Sequence, residues 1–354
     1  MRTRFPHALW FATACAMLAA CGGDDTQRPG QLTVMTRNLY LGADLTPALA
    51  ATDPAGLVAA TTAIWASVQA NDFKDRAKGI AAEIAAARPD LVALQEVALW
   101  RTQTPSDANP TPDATTVAYD FLALVRAELQ TLGVTYDVAE ELPLTDLEVP
   151  IATGPGTFDD VRFTDRDVIL ARSGVAVAGA EGHVYAALLT VPLPAGAAVT
   201  VKRGWTRVAA TVAGQPVTFV NTHLESGDLA PIAAIRTAQA GELFAAVAPE
   251  QGRVVVAGDL NSLPGTEGHL AATTAGFADA WATLHGADPG FTCCFAADLR
   301  PATGSLSQRI DLVLTRGALR ATSATIVGEE AQDRTPGGRW PSDHAGLVAA
   351  VQLQ

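Results

Sequence analysis

Eight residues of this chain can do chemistry together if the fold brings them to one place. Asp259 and Asn261 stand two positions apart at the end of the apolar run Val254-Val255-Val256-Ala257-Gly258. On an extended chain, side chains at i and i+2 point the same way, so both can face one site. The Asp can carry negative charge or accept a proton. The Asn can donate and accept hydrogen bonds without changing charge. Asn38, Glu96, His223 and the pair Asp343-His344 stand beside other apolar runs, and Asp311 lies inside one. An unpaired carboxylate in such a run is costly, so Asp311 needs a partner or a metal. Each residue alone has an ordinary explanation: a loop carboxylate, a core histidine, a surface turn. As a set they are rich in oxygen ligands and include no catalytic Cys, which suits a hard cation such as Mg²⁺. Two His and several Asp supply acid–base partners. The combination suits phosphoryl transfer, where a cation neutralises non-bridging oxygens, a base activates water and an acid assists departure.

The elements that must position these residues alternate between strand and helix. Residues 32–36 read as a strand that leads to Asn38. Residues 41–71 are Ala-rich and partly helical. Phe73, Ala77, Ile80 and Ile84 recur at helical spacing behind Asp72, which predicts a helix over 73–87. Residues 91–94 read as a buried strand before Glu96. The Pro- and Thr-rich segment 101–116 reads as an exposed loop, 117–132 as a helix, and 134–163 as irregular with strand fragments. A strand over 167–171 follows, then a hairpin of 205–212 and 215–221 about Gly214, a long helix over 229–247, and the Gly258 strand. A short helix near Thr266 and strands over 309–314, 321–327 and 345–351 complete the chain. Ligands gather at strand ends in α/β sheets, so convergence of the polar residues on one site is expected.

With these motifs in order, the chain resembles the endonuclease/exonuclease/phosphatase superfamily, which includes pancreatic deoxyribonuclease, bacterial sphingomyelinases and inositol polyphosphate 5-phosphatases. The matching stretches are Thr36-Arg37-Asn38-Leu39, Leu94-Gln95-Glu96-Val97, Asn221-Thr222-His223-Leu224, Gly258-Asp259-Leu260-Asn261, Arg309-Ile310-Asp311 and Ser342-Asp343-His344. The resemblance implies a four-layer α/β sandwich, two central mixed β-sheets flanked by helices. It implies a metal held by Glu96 with Asn38 and Asp343 near it, and Mg²⁺ as cofactor, with Mn²⁺ or Ca²⁺ as substitutes. His344 would pair with Asp311 to activate water, and Asp259 would orient or deprotonate the nucleophile, so Asp259 and His344 both stand as candidate bases. Asn261 would hold a phosphate oxygen, and His223 would contact the phosphate and could act as acid. Arg166 resembles a phosphate-contacting Arg of the deoxyribonuclease branch. His183, His269 and His285 match no motif. The implied activity is a metal-dependent, nuclease-like phosphodiesterase, with sphingomyelinase (phospholipase C-type) or inositol-phosphate phosphatase activity as alternatives. A catalytically silent binding protein on the same fold is the competing class. Its mark would be the loss of Glu96, Asp259 or His344, and all three are present.

Composition sets the remaining expectations. With 354 residues, 49% hydrophobic and 17% charged, the chain is long enough for one large α/β domain. No composition break divides residues 31–354. Arg2 and Arg4 precede an apolar run that ends in Leu18-Ala19-Ala20-Cys21, a signal peptide's layout and too short for a membrane span. The ending resembles a bacterial lipoprotein signal, which implies cleavage before Cys21 and lipid on that residue. Residues 1–20 would then be the signal, 21–30 a flexible tether and 31–354 the catalytic domain of a monomer anchored in the cell envelope, outside the cytoplasm. Loss of residues 1–20 leaves 22 basic against 37 acidic residues, a net charge of −15. So acidic a protein gains little from phosphate counterion release, which argues against tight non-specific binding to nucleic acid but not against turnover at a site with a bound cation. Cys293 and Cys294 are neighbours and do not make a zinc ligand set. A vicinal disulfide or a pair of buried thiols in a structural role is expected.

Overall fold

The computed structural model describes residues 30–354 except 108, 110 and 302–304. The signal peptide, Cys21 and all of the expected tether but Gly30 lie outside the described residues. Strand β1, Gln31–Asn38, is followed by helices α1, Thr46–Leu49, α2, Pro54–Ala70, and α3, Phe73–Ala87. Strands β2, Leu91–Gln95, β3, Leu99–Gln103, and β4, Thr116–Asp120, lead to α4, Phe121–Thr131. Strands β5, Tyr136–Gly154, and β6, Thr157–Arg172, form a long hairpin, with β7, Ala176–Val184, after it. The ribbon of β8, Leu189–Pro192, and β9, Ala198–Val201, precedes the hairpin of β10, Gly204–Val212, and β11, Gln215–His223. Then come α5, Ala230–Val247, β12, Arg253–Asp259, α6, Glu267–Thr274, β13, Ala278–Asp279, α7, Ala280–His285, β14, Asp311–Arg316, β15, Leu319–Val327, and β16, Gly346–Leu353. No helix among the described residues is long and apolar enough to cross a membrane.

Two mixed sheets dominate. One has the order β15-β16-β1-β2-β6-β3-β4, with β5 also paired to β6; the other has the order β13-β14-β12-β11-β10-β7. The period-2 alternation of side chains builds the layers. Leu32 and Val34 of β1, Leu91 and Ala93 of β2, and Ile169 and Ala171 of β6 meet Val217, Phe219, Val255, Ala257 and Val313 of the other sheet in one buried cluster. The alternate residues Met35, Val92, Leu94, Val168 and Leu170 face outward and pack on Ile64, Phe73, Ile80, Ile84, Phe121 and Val125 of helices α2, α3 and α4. Behind the second sheet, Val220, Val254, Val256 and Leu312 pack on Leu243, Phe244 and Val247 of α5. Helices, sheet, sheet, helices: the expected four layers are present.

Between the sheets the inward positions change character toward one edge. Along β1 they run Val34, Thr36, Asn38; along β2, Leu91, Ala93, Gln95; along β11, Phe219, Asn221, His223; along β12, Val255, Ala257, Asp259. Strands β6 and β14 run the other way and place Asp167 and Asp311 at the same edge, since Leu94 pairs with Val168 and Asp259 with Asp311. The apolar sandwich thus becomes polar at the edge where Asn38 ends β1. Gly30 lies at the opposite edge, where its carbonyl accepts from Leu353 N at 2.8 Å.

Three local expectations are corrected. Residues 101–116 are not all loop, because β3 and β4 pair through them. The helix expected over 117–132 begins only at Phe121, because Thr116–Asp120 is a strand. The segment 134–163 is regular: it is most of the β5–β6 hairpin, whose register shifts at three points break the alternation that marks a strand in sequence.

Candidate active site

The turn at each strand end aims the polar residue. Gly258 is required because a Cβ there would collide with the carbonyl oxygen of Thr222 on the neighbouring parallel strand. Glu96 follows β2 in a left-handed conformation (φ 54°), as does Asn261 after β12 (φ 46°). This turn lets Glu96 Oε2 accept from Leu41 N at 2.8 Å and Oε1 from Asn38 Nδ2 at 3.2 Å. Arg76 of α3 is fully buried beneath the site and donates to the carbonyls of Leu39, Tyr40 and Pro341, tying the loop after β1 to the segment that carries His344. Ser342 continues that tie: its hydroxyl donates to Asn38 O at 2.8 Å and accepts from His344 N at 3.2 Å.

Asp259 is the centre. Its Oδ2 accepts from Asn38 Nδ2 at 3.1 Å, and its Oδ1 accepts from Asn261 N at 2.8 Å. His223 Nε2 lies 3.5 Å from Asp259 Oδ2 and His344 Nε2 lies 3.9 Å from it, so two imidazoles flank one oxygen. His344 Nδ1 pairs with Asp311 Oδ2 at 2.8 Å. Asn261 Nδ2 donates to Leu224 O at 2.9 Å. Glu96, Asn261 and Asp343 are part-exposed and the rest are buried, so substrate must approach from their side.

The charges are crowded. Burial, and then the negative charge of Asp311, push the Asp259 carboxyl up to about 7. Burial and Glu96 raise Asp343 to about 6, against the pull of His344. For His344, burial favours the neutral ring, but Asp311 outweighs it and holds the imidazole well above its usual range. For His223, burial and then the neighbouring Arg203 push the ring well below that range.

Most of the residues expected from the sequence are brought together: Asn38, Glu96, His223, Asp259, Asn261, Asp311, Asp343 and His344 share the polar edge. Asn38 meets both carboxylates through its amide nitrogen, because its oxygen accepts from Tyr40 N at 2.9 Å. In this arrangement it orients Glu96 and Asp259. Arg166 is not brought to the site. It shares the outward face of β6 with Val168 and Leu170, and its guanidinium donates to Val97 O (2.8 Å), Glu141 Oε1 (3.0 Å) and Asp120 Oδ1 (2.6 Å). The expected phosphate contact is corrected accordingly. The cation beside His223 is Arg203, which the sequence does not mark out; with it are Asp165, Asp167 and Glu225. Cys293 and Cys294 form a vicinal disulfide. Their segment runs alongside Asp343 and His344, and Cys293 Sγ is 3.6 Å from His344 Nε2.

A divalent cation fits this donor set. Burial raises Asp259 and Asp343, each with help from a neighbouring carboxylate, Asp311 and Glu96 respectively, and Asp311 Oδ1 is buried without a hydrogen-bond partner among the described residues. Asp259, Asp311 and His344 each bring one ligand atom within 4.8 Å of the others, and Glu96 and Asp343 add hard oxygens at the same edge.

A model of the "Endonuclease/Exonuclease/phosphatase family" matches residues 64–344. The chain belongs to that family. All three activities in its name hydrolyse phosphoesters. An endonuclease/exonuclease/phosphatase from Beutenbergia cavernae superposes with TM-score 0.55 at 23% identity, over 91% of this chain and 72% of that one. One from Bacteroides vulgatus gives TM-score 0.54 at 16% identity, over 92% and 99%. A humanized TDP2 from D. rerio gives 0.50 at 18%, over 92% and 100%. At these identities the superpositions establish the shared fold. No curated protein matches the sequence significantly.

Proposed function

We propose that this family member is a Mg²⁺-dependent phosphodiesterase of nuclease type, which hydrolyses its substrate by in-line attack of water without a covalent intermediate. The observation that carries the proposal is the meeting of Asp259, His223 and His344 at a polar edge that also holds Glu96 and Asp343. Glu96 and Asp343 would hold the ion, which would supply positive charge against the non-bridging oxygens. Asp259 is fixed by Asn38 and the Asn261 backbone and, at about 7, can take a proton from water near neutral pH. His344, kept charged by Asp311, gives a proton to the leaving oxygen as its bond to phosphorus breaks. The second Nδ2–H of Asn261 and the ring of His223 contact its oxygens. The Asn-Thr-His-Leu form of the motif is shared by the deoxyribonuclease, sphingomyelinase and phosphatase branches and does not choose among them, and the Arg166 argument for the nuclease branch has gone. We further propose that lipid at Cys21 anchors the protein in the bacterial envelope as a monomer.

The test is a parallel assay on plasmid DNA, RNA, sphingomyelin and inositol phosphates with Mg²⁺. Nicking of plasmid or cleavage of RNA is expected. Headgroup release from sphingomyelin without nicking would replace the substrate class, and no cleavage of any phosphoester would sink the enzyme reading. Glu96→Ala should raise the Mg²⁺ concentration needed for half-maximal rate by about tenfold or more, the usual scale for disturbing a metal site. An unchanged requirement would remove Glu96 from the ion's ligands.

A further inference from the structure

Arg203 stands immediately before β10, half-buried beside His223. Its Nη1 lies 2.8 Å from His223 Nδ1. A guanidinium has only donors, so Nδ1 must be the acceptor and the ring proton must sit on Nε2. Arg203 is in turn held in place: Asp165 Oδ2 is 3.6 Å from its Nη1, and Glu225 Oε1 is 3.6 Å from its Nε. Those two carboxylates come from β6 and from the loop after β11, so the cation is gripped from both sheets. The other charged groups around His223 are Asp259 of β12, facing Nε2, His344 from the segment before β16, and Asp167 of β6 in the field of Arg203.

We infer that Arg203 is a positioning residue that locks His223 as the neutral Nε2–H tautomer, a fixed hydrogen-bond donor aimed at the Asp259 oxygen and the reacting phosphate. This rests on the phosphodiesterase reading for its catalytic meaning, though not for its geometry. The arrangement removes His223 from the role of general acid. An acid must carry a second proton on Nδ1, where the guanidinium N–H already points. Protonation there would set two donors against each other beside a cation. His223 therefore contributes a hydrogen bond of constant charge, and proton transfer is left to Asp259 and His344.

The experiment is ¹⁵N NMR of histidine-labelled full-length protein in detergent, which separates the two tautomers and the imidazolium by their ring-nitrogen shifts, from pH 5.5 to 8. His223, assigned through His223→Gln, should show a protonated Nε2 and an unprotonated Nδ1 throughout. A doubly protonated ring at pH 6, or a proton on Nδ1, would overturn the inference. In Arg203→Met the ring should lose its single tautomer and titrate within that window. The variant's kcat should fall about tenfold or more with a smaller change in KM, and its pH profile should gain a limb absent from the wild type. If Arg203→Met does not fold, Arg203→Lys keeps a donor and should preserve the Nε2–H signature; a mixed tautomer there, with wild-type kcat, would count against positioning by this residue. The shifts need no turnover, so a protein that cleaves no phosphoester but shows the locked tautomer would refute the enzyme reading and leave this inference standing.

Discussion

The two histidines that flank Asp259 are alike in what they face and opposite in what stands behind them. Behind His344 is Asp311, a buried acceptor that takes the Nδ1 proton and favours a charged ring. Behind His223 is Arg203, a donor that excludes a proton from Nδ1 and favours a neutral one. Both imidazoles present Nε2 to the same oxygen. An imidazole has no fixed role of its own; the group behind it decides whether it carries charge or only direction. The oxygen between them therefore has one partner that can change its charge and one that cannot.

The sharpest way to break this arrangement is to remove the shared element or the charged partner. Asp259→Asn and His344→Ala should each lower kcat by at least about a hundredfold, the scale of losing a positioned acid or base. Near-normal turnover in both would mean that the chemistry lies elsewhere. A milder change makes the two histidines more alike. Asp311→Asn removes the carboxylate that raises His344. Its imidazolium should then lose its proton at lower pH, so the alkaline limb of the rate profile should move to lower pH, with a loss of about tenfold or more near neutrality. A limb that stays in place would show that Asp311 does not set the charge on His344.

The smallest effect is thermodynamic. Asp259 titrates at about 7 in the fold against an ordinary value of 3.8. The folded state therefore binds the proton more tightly than the unfolded chain, and this group costs stability as pH rises from about 4 through about 7. Asn does not titrate. In chelator, the unfolding midpoint of Asp259→Asn should gain on that of the wild type across this range by a few degrees, on the order of 1 kcal/mol or more. Mg²⁺ should narrow the gap at pH 7 more than at pH 5. Parallel curves would mean that Asp259 stays charged throughout.

The site was legible where residue spacing and strand ends coincided. Asp259 and Asn261 follow a β-branched run, and Glu96, Asp311 and His344 sit against apolar runs, so alternation and cost of burial pointed to them. The six motifs in order gave the four layers. Arg203 was not legible, because it follows Lys202 in a short connection with no periodic pattern, and its importance comes from residues far away in sequence. Asp165 lies just before the strand expected over 167–171, and Asp167 opens that strand, yet neither belongs to a motif and their importance also comes from residues far away in sequence. Arg166 is the instructive error. Once Ile169 and Ala171 are assigned to the space between the sheets, alternation sends Asp167 and Asp165 inward and Arg166 outward to the helices. The motif resemblance suggested a phosphate contact, and the pleat forbade it.

The opening strand has a consequence for where the protein can work. The described domain starts at Gly30, and β1 then runs eight residues, about 25 Å, before Asn38 reaches the site. An anchor at Cys21 would fasten the domain by the edge remote from its catalytic face. The nine residues from there to Gly30, drawn straight, reach about 30 Å, so turning that face down to the bilayer would take nearly full extension. Held in this way, the protein would work as a hook turned away from its own membrane, with its polar edge open to solution.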